Sequence, residues 1–304
     1  MSSIDLHIHS YYSNDADFSP TKLVELSLMK GLTYAAIADH NSVKAIDEVL
    51  TAAAETALTV IPAIEMDCVL DGVVLHLLGY GIDQSDPIFS EIEEDLHQQE
   101  KDNSARLVKL VRRLGIEFDD EVIESLAFDG VITGEMIAEA ALRYDSHNDN
   151  PLLDPYRGEG DRSDNPYVNF YWDYCSQGKP AHVPIDFILI DRAIEIIQSN
   201  HGVPILAHPG INVKEDLAFL ERIVEKGVAG MEVYSSYHNG AQVQFYKEAA
   251  LEKDLLVTCG SDFHGKNKKS IKIGGTDCEG QEEKIISGLL EAINKAKQIP
   301  GDED

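Results

Sequence analysis

The sequence predicts an α/β fold built on a parallel sheet, and three observations support this prediction. Short apolar segments alternate with amphipathic stretches at both ends of the chain, which is the pattern of strands followed by helices. The length of 304 residues, with 43% hydrophobic residues, is enough for one large domain or for one domain with a substantial insertion. A charged, helix-like stretch separates the two alternating regions and predicts such an insertion.

The first alternating region begins with a strand over 3–6 and extends to about residue 80. Ser19-Pro20-Thr21 predicts the start of a helix, because Ser is a favoured N-cap and Pro fits the first helical position. This helix should end at Gly31, where a positive φ is easily adopted. The expected elements that follow the first strand are helices over 22–30 and about 43–56, and strands over 34–38, 58–63 and 73–80.

The alternation resumes in the last third of the chain. The expected elements there are helices over 190–199, 214–226, 242–253 and 281–296, and strands over 204–207, 230–234 and 255–259. Before them, residues 90–114 have helical spacing, and the residues up to 198 mix helices with a polar tract. We therefore expect a barrel domain formed by residues 1–80 and 199–304, and an inserted, mainly helical domain over 81–198.

The composition limits the expected partners and location. Against 25 Lys and Arg stand 54 Asp and Glu, which gives a formal charge of −29. Such a field repels polyanions, so long nucleic acid is not expected, whereas a small phosphorylated substrate can bind where metal ions reverse the local potential. Scattered cysteines, no signal segment and no apolar run of membrane-spanning length predict a cytoplasmic protein without membrane association. Nothing in the sequence indicates the oligomeric state.

Six of the eleven histidines lie at or near predicted strands, mostly toward the carboxyl ends. In a parallel α/β barrel these ends share one face, where active sites are built. The six are His7, His9, His40, His76, His208 and His264. Alternate residues of a strand point the same way, so that His7 and His9 could bind one cation together. Alone, such a pair is weak evidence, since two polar residues often close a strand.

Three acidic residues accompany these histidines. Asp15 follows the first strand, Glu65 ends the apolar run over 58–64, and Asp262 precedes His264. A carboxylate that bridges two divalent ions holds them roughly 3.5–4 Å apart, which is the spacing used in two-metal phosphoester chemistry. We predict that Glu65 is such a bridge, although a single carboxylate at this position would ordinarily be a loop residue.

These residues stand in seven motifs that follow the order and approximate spacing of the polymerase-and-histidinol-phosphatase (PHP) family, which the chain resembles. The motifs are DLHIHS, SNDADFSP, AIADHN, IPAIEMD, VVLHLLGY with its one histidine, AHPG and GSDFH. They cover about residues 1–80 and 203–275. The resemblance implies a distorted (β/α)7 barrel of the PHP type with an inserted cap domain. It also implies two or three divalent metal ions, and manganese, iron and zinc all suit the mixed nitrogen and oxygen ligands.

The resemblance, carried over motif by motif, implies three metal sites. Their ligands would be His7, His9, Glu65 and Asp262 for the first, Glu65, His76 and His208 for the second, and Asp15, His40 and His264 for the third. Many family members have Ser-Asp-Gly where this chain has SNDAD over 13–17. We prefer Asp15 to Asn14 as the ligand, because a carboxylate binds a hard cation better than an amide does, and Asp17 stays an alternative.

Four residues are expected to bind substrate. Lys179 and His182 lie in QGKPAHVP over 177–184, and the resemblance implies that a similar stretch ends the insertion in the nucleotide phosphatases of the family. Arg143 could bind phosphate through two parallel hydrogen bonds, although an ordinary surface charge is the commoner role. His238 follows a strand and could face the site. The Arg-Pro-His stretch of the family's insertion is replaced here by TGEM over 133–136, so the nucleotide substrate stays open.

The resemblance implies a metal-dependent phosphoesterase that hydrolyses a small phosphate ester, such as a nucleotide-like phosphomonoester or bisphosphate, with metal-activated water. The expected catalytic residues are Glu65, Asp262, His264 and His208. Either of these two histidines could protonate the leaving group. A cyclic sugar phosphate phosphodiesterase and a histidinol phosphatase are alternatives that need the same metals. Rivals of other classes are an amidohydrolase acting on a C–N bond, an inactive metal-binding module and a polymerase-associated proofreading domain.

Overall fold

The computed structural model describes residues 2–298, so that residue 1 and residues 299–304 of the predicted barrel domain lie outside the described part. The fold is α/β and contains parallel strand pairs, as the sequence predicted. The strands are β1 (Ile4–Ile8), β2 (Tyr34–Ile37), β3 (Thr59–Val60), β4 (Ala63–Leu70), β5 (Val73–Tyr80), β6 (Ile188–Leu189), β7 (Val203–Leu206), β8 (Gly230–Ser235) and β9 (Leu256–Gly260).

Helices lie between these strands, and several of them follow one another between β5 and β6. They are α1 (Pro20–Met29), α2 (Ile46–Ala53), α3 (Pro87–Arg113), α4 (Asp120–Leu126), α5 (Gly134–Tyr144), α6 (Pro166–Phe170), α7 (Ile190–Ser199), α8 (Pro209–Asn212), α9 (Leu217–Glu225), α10 (Gly240–Glu252) and α11 (Glu282–Ala296). A 3-10 turn at Asp154–Tyr156, a π-helix at Tyr171–Cys175 and a 3-10 turn at Gly265–Lys268 complete the order. None of the described helices is both long and apolar enough to cross a bilayer.

The strands form two sheets. One is the parallel sheet β1-β2-β3, and the other has the order β6-β4-β5-β7-β8-β9. Two isolated bridges join them, because Ile8 pairs with Phe263 just beyond β9, and His40 pairs with Glu65 in β4. The carboxyl ends of β1 and β2 therefore meet the second sheet in one region, which contains most of the histidines that the sequence singled out.

The second sheet is mixed, whereas the sequence predicted a parallel one. β4 and β5 are antiparallel, and β5 is also antiparallel to β7. The turn between β4 and β5 consists of Asp71 and Gly72, whose φ angles are 51° and 80°. Two residues with positive φ make the tight turn of a hairpin, and Gly adopts this conformation at no steric cost. The Asp-Gly pair was thus a hairpin signal in the sequence.

The predicted strand over 58–63 is divided in two. β3 ends at Val60, and the long strand β4 begins only at Ala63. Pro62 lies between them and has no N–H to donate to a sheet, which accounts for the interruption. As a result, Glu65 lies inside β4 rather than at the end of the preceding strand.

Three hydrophobic clusters form the core. The largest fills the space around the second sheet and includes helix α7, although α7 falls in the segment 81–198 that was predicted as the inserted domain. A second cluster packs α1 and α2 against β1-β2-β3. The third contains only buried residues between Val111 and Ala181, so this part of the chain, which lies within the predicted insertion, has a hydrophobic cluster of its own. The four cysteines are free and buried.

Candidate metal centre

Glu65 is fully buried in β4, and imidazoles surround both of its oxygens. Oε2 lies 3.1 Å from Nε2 of His7. It also lies 3.2 Å from Nε2 of His9 and from Nδ1 of His40. Nitrogens of His7 in β1, of His9 directly after β1 and of His40 in the loop after β2 thus face the same carboxylate oxygen.

The second oxygen of Glu65 faces a different pair. Oε1 lies 3.1 Å from Nδ1 of His76 in β5 and 3.0 Å from Nε2 of His208, which follows β7. Burial opposes ionisation of this carboxyl, but the imidazoles outweigh it and hold the pKa of Glu65 well below its usual range. The carboxylate therefore has the arrangement of a bridge between two sites.

Asp262 brings its Oδ1 to the imidazoles of β1. This oxygen is 3.0 Å from Nε2 of His9, 3.5 Å from Nε2 of His7 and 3.4 Å from Nδ1 of His264. The backbone of Asp262 has a φ of 57°, a conformation that non-glycine residues seldom adopt outside turns and functional sites. The strained turn after β9 places Asp262 and His264 on the same cluster.

The other oxygen of Asp262, Oδ2, accepts hydrogen bonds from two side chains. It accepts a hydrogen bond from Nζ of Lys268 at 2.6 Å and another from the hydroxyl of Tyr237. Lys268 is buried and also lies 5.5 Å from the centre of the Tyr237 ring. We call Lys268 and Tyr237 the Asp262 clamp, because they fix Oδ2 and leave Oδ1 toward the histidines.

Asp15 is the residue of the SNDAD segment that contacts the cluster. Its Oδ2 lies 3.2 Å from Nε2 of His264. Asn14 instead donates to the carboxylate of Glu100 at 2.6 Å, and Asp17 accepts a backbone N–H from the segment after His264 at 3.1 Å. The geometry therefore favours Asp15 over both of its neighbours.

Asp67 belongs to the cluster although the sequence analysis did not select it. Its Oδ1 is 3.5 Å from Nδ1 of His40 and 3.5 Å from Nε2 of His76. Asn41 donates to the other oxygen at 2.8 Å. Residues two apart on a strand share a face, so Glu65 and Asp67 point the same way, and this alternation could have identified Asp67.

Glu232 orients two of the histidines and was also missed. It is fully buried in β8; its Oε1 lies 3.2 Å from Nδ1 of His7 and its Oε2 accepts the His208 backbone N–H at 2.9 Å. A carboxylate in this position usually holds a proton on Nδ1 of the histidine. Nε2 of His7 is then free to bind a metal ion. A Cβ on Gly260 would lie 2.2 Å from His7 Cβ and 2.3 Å from Glu232 Oε1, so glycine permits this approach.

Ser13 and Asp39 orient His9 in a similar way. Nδ1 of His9 is 2.9 Å from Oγ of Ser13, which donates to Asp39 at 2.8 Å. Asp39 also accepts two hydrogen bonds from Ser10 at 2.6 Å. Burial lowers the pKa of His9 to about 3, and the nearby His264 acts in the same direction. A neutral imidazole is the form that binds a metal ion.

The residues of the cluster fit divalent metal ions. Several buried ligand atoms have no hydrogen-bond partner among the described residues, and each such atom would cost about 1–3 kcal/mol if it stayed unpaired. They are Asp15 Oδ1, His40 Nδ1, Glu65 Oε2, Asp67 Oδ1, Asp262 Oδ1 and His264 Nε2. Four groups have ligand atoms within 4.8 Å of one another. These groups are His7-His9-Glu65-Asp262, Glu65-His76-His208, His9-His40-His264 and His40-Asp67-His76.

The residues predicted to bind substrate do not take part in these contacts. Lys179 is exposed, and its loop touches the rest of the fold where Gln177 donates to the Gly72 carbonyl at 2.7 Å. Gly72 forms the tip of the β4–β5 hairpin, beyond the segment that carries the predicted ligands. His182 is half-buried, with Nδ1 3.4 Å from the Cys175 carbonyl.

Arg143 and His238 are also engaged elsewhere. Arg143 is 57% exposed and pairs with Glu139 on its own helix. His238 donates from Nδ1 to the Val233 carbonyl at 2.8 Å and accepts the Gly210 N–H at Nε2 at 2.9 Å. Both ring nitrogens are therefore occupied by backbone groups, which leaves none for a substrate. The neighbouring Tyr237, and not His238, reaches the metal cluster.

The segment predicted to be inserted, residues 81–198, contacts the loop that follows His264. Glu139 in α5 forms an ion pair with Lys266 at 2.9 Å. Asn165 exchanges two hydrogen bonds with Ser270, at 2.7 and 2.8 Å. Together with the hydrogen bond from Asn14 to Glu100 of α3, these contacts tie three helical parts of the insertion to the surroundings of the metal cluster.

The chain is similar to several known proteins. The chain is 27% identical to a protein named 5′-3′ exoribonuclease from Haemophilus influenzae. The alignment spans 265 residues, which are 86% of this chain and 89% of the relative. It is 24% identical to a 3′,5′-nucleoside bisphosphate phosphatase from Chromobacterium violaceum, over 91% of this chain and 92% of the relative.

A solved structure from Bifidobacterium adolescentis, proposed to be a metal-dependent phosphoesterase, shares the fold. It superposes with a TM-score of 0.73 at 25% identity and covers 95% of this chain and 96% of that one. The family model of the PHP domain matches residues 5–154, which include the ligands His7 to His76 suggested above. The chain therefore carries a PHP domain, matched over residues 5–154.

Proposed function

We propose that the protein is a metal-dependent phosphoesterase that hydrolyses a small phosphate ester, a nucleotide-like phosphomonoester or bisphosphate. The observation that carries this proposal is the buried Glu65 carboxylate with imidazoles within 3.2 Å of both oxygens. A shared carboxylate of this kind is how two divalent ions are held side by side in phosphoester-cleaving sites. The phosphatase and phosphoesterase names of relatives support the same activity.

Two or three ions of manganese, iron or zinc would fit the ligand set. Their ligands would be His7, His9, Asp15, His40, Glu65, His76, His208, Asp262 and His264, with Asp67 as an additional candidate. When bound, the ions would supply positive charge for the phosphate oxygens and lower the pKa of water toward neutrality. This chemistry needs no protein nucleophile, and none of the four buried cysteines faces the cluster in the contacts above.

The chain's own residues would fix orientation and protons. Glu232 and Ser13 hold the Nδ1 atoms of His7 and His9, so that both Nε2 atoms point inward. The Asp262 clamp fixes one oxygen and frees the other. His208 and His264 are the candidate proton donors for the leaving group, each in the case that its ring is not bound to a metal ion.

We further propose that the two sheets form the distorted barrel of the PHP fold and that the insertion caps its metal face. The bridges Ile8–Phe263 and His40–Glu65 support closure of the sheets. The ion pair between Glu139 and Lys266 supports a cap. Since α7 packs in the main core, we place the return from the cap before residue 188 rather than at 198.

A substrate panel with metal-replete protein tests this function. The panel should contain AMP, a nucleoside 3′,5′-bisphosphate, a cyclic sugar phosphate, histidinol phosphate, a short RNA and an amide substrate. We expect phosphate release from a small monoester or bisphosphate, and faster turnover of it than of RNA, because a charge of −29 disfavours polyanions. Cleavage of the amide alone, or of no ester at all, would refute the proposal.

A further inference from the structure

The loop over residues 266–270 lies between the metal centre and the predicted insertion, and we call it the 266–270 loop. Gly265 connects it to His264 and has a φ of 67°. A Cβ at this glycine would overlap the carboxylate of Asp17, so that a larger residue would displace that side chain. Oδ1 of Asp17 in turn accepts the Lys266 N–H at 3.1 Å. The start of the loop is therefore fixed relative to His264.

Two side chains of the loop contact the predicted ligands. Nζ of Lys268 donates to Oδ2 of Asp262 at 2.6 Å, and Nδ2 of Asn267 donates to the backbone carbonyl of Asp15. Lys268 and Asn267 are both buried. Separating a buried ion pair is strongly unfavourable, because it leaves a charge without compensation. The pair of Lys268 and Asp262 therefore depends on the position of the loop backbone.

Other residues of the loop contact the predicted insertion. Nζ of Lys266 lies 2.9 Å from Oε2 of Glu139 in α5, a carboxylate that is 5% exposed. Nζ of Lys269 lies 5.0 Å from the centre of the Tyr167 ring in α6, which is the distance of a cation–π contact. The 266–270 loop is thus held by the insertion on one side and by the predicted ligands on the other.

Asn165 makes the most specific contact between the insertion and the loop. It stands at the N-cap of α6, but its side chain makes no capping hydrogen bond. Its Oδ1 accepts the Ser270 N–H at 2.8 Å, and its Nδ2 donates to Oγ of Ser270 at 2.7 Å. Asn is a favoured N-cap residue because its side chain can accept the helix's first N–H groups. Here the side chain binds the loop instead of its own helix.

The segment that carries Asn165 is itself cross-linked. Asn169 donates to the Asp164 carboxylate at 2.8 Å and to the Arg162 carbonyl at 3.0 Å. Arg162 binds both oxygens of Asp173, each at 2.9 Å. A guanidinium that binds a carboxylate through two parallel hydrogen bonds fixes its geometry as well as its distance. This segment can therefore act as a rigid support for the loop.

We propose that Asn165 and Glu139 are positioning residues that hold the 266–270 loop, so that Lys268 stays on Asp262 and docking of the insertion is coupled to metal binding. The inference rests on the metal centre of the proposed function. If a docked insertion raises the affinity for metal, bound metal must stabilise the docked insertion by the same factor. The coupling acts through the Asp262 clamp, which the insertion does not touch through Asn165 or Glu139 themselves.

Competition between the full-length protein and a fluorescent chelator for Zn²⁺ tests this coupling without turnover. In Asn165→Ala, both hydrogen bonds to Ser270 are lost, and we expect about tenfold weaker Zn²⁺ binding. Asn165→Asp can accept both the N–H and the hydroxyl of Ser270, so it should bind Zn²⁺ nearly as the wild type does. Asn103→Ala is the matched control, because Asn103 donates to the Pro184 carbonyl and not to the loop.

Three outcomes of this competition would overturn the proposal. The first is an Asn165→Ala protein with the Zn²⁺ affinity of the wild type. The second is a loss of affinity that Asn165→Asp does not restore. The third is an equal loss in Asn103→Ala, which would mean that any weakening of the insertion lowers the affinity.

Hydrogen exchange measures the coupling in the opposite direction. In the wild type, saturating Zn²⁺ should slow exchange in α5 and α6 by about the same tenfold factor. In Asn165→Ala, α6 should lose this gain, whereas α10 should keep any gain that Zn²⁺ gives it. Wild-type α6 without a gain overturns the proposal, and this result needs no variant to fold. Coupling in a protein that hydrolyses no phosphate ester would refute the proposed function alone.

Discussion

The buried Glu65 carboxylate carries a negative charge, and the site needs this charge only when cations are bound. Its two oxygens face different imidazoles, and its pKa is held well below the usual range, so it is ionised at neutral pH. An amide of the same shape would keep the packing but not the charge. The role of this residue is therefore open to a test that separates metal binding from folding.

In Glu65→Gln, we expect turnover to be lost and the metal content to fall, whereas the unfolding transition of metal-free protein stays cooperative. The physical reason is that a neutral amide cannot bridge two cations. Elemental analysis and circular dichroism on the same sample provide the measurements. Glu248→Gln, which changes an exposed carboxylate on α10, is the matched control. A Glu65→Gln enzyme with wild-type activity and metal content would show that the bridge is assigned wrongly.

Lys268 should matter more than Lys179, because Lys268 is buried against Asp262 and Lys179 is exposed. In Lys268→Met, we expect at least tenfold weaker metal binding, since Asp262 loses the cation that fixes its Oδ2. Lys179→Met is the matched control, and competition with a fluorescent chelator measures both. Weaker metal binding in Lys179→Met than in Lys268→Met would contradict the role of the Asp262 clamp.

The sequence identified much of the candidate site, but not all of it. His7, His9 and Glu65 could be found because strand alternation and motif order are local properties. Asp67 and Glu232 carried a signal that was overlooked, namely an acid inside an otherwise buried strand. Lys268 and Tyr237 could not be found in this way, because each lies in a loop whose position depends on the packing of β8 and β9.

At the scale of elements, the alternating pattern predicted most strands and helices, and the exceptions are local. The β4–β5 hairpin depends on Asp71 and Gly72, and the split between β3 and β4 depends on Pro62. Both signals consist of one or two residues within apolar stretches. The apolar pattern alone does not distinguish a parallel strand from an antiparallel one, so these turn residues decide the direction of the sheet.

Gly72 provides a test of the hairpin. Gly72→Ala should lower the free energy of unfolding by about 1 kcal/mol, because a residue with a Cβ is strained at a φ of 80°. Gly240→Ala is the control, since this glycine begins α10, has no positive φ and has open space around its Cβ position. Urea denaturation of the two variants should show a loss only for Gly72→Ala. Equal midpoints would argue against the observed turn.

Glu100 provides a test of the contact between α3 and the metal face. Burial raises its pKa to about 7, and the charge of Asp67 adds to this effect. Because the folded pKa exceeds the unfolded one, the stability from this carboxyl is fully present below about pH 4.5 and is lost as the pH rises through 7. The glutamine of Glu100→Gln does not titrate.

We therefore expect the free energy of unfolding of chelator-treated wild type to fall by about 1–3 kcal/mol, relative to that of Glu100→Gln, between pH 5 and pH 8.5. Urea midpoints at the two pH values measure the difference. A constant difference between the two proteins at both pH values would mean that Glu100 is solvated and that α3 does not close over the centre.

At the scale of the whole molecule, the sequence predicted the α/β class and the PHP family, and the described residues agree with both. The sequence placed the helix over 190–199 in the resumed alternation but drew the boundary of the insertion at residue 198, because its amphipathic pattern suits a cap helix as well as a barrel helix. The aromatic residues of the π-helix were not distinguished either, since a π-turn has no sequence signature comparable with that of a hairpin.

The metal content of the purified, metal-replete protein tests the central claim most directly. Nine candidate ligands, with Asp67 as a tenth, are too many for one ion at ordinary coordination numbers. Inductively coupled plasma mass spectrometry on protein of known concentration should find two or three moles of divalent metal per mole of chain. A value of one or less after metal loading would contradict the multinuclear centre around Glu65.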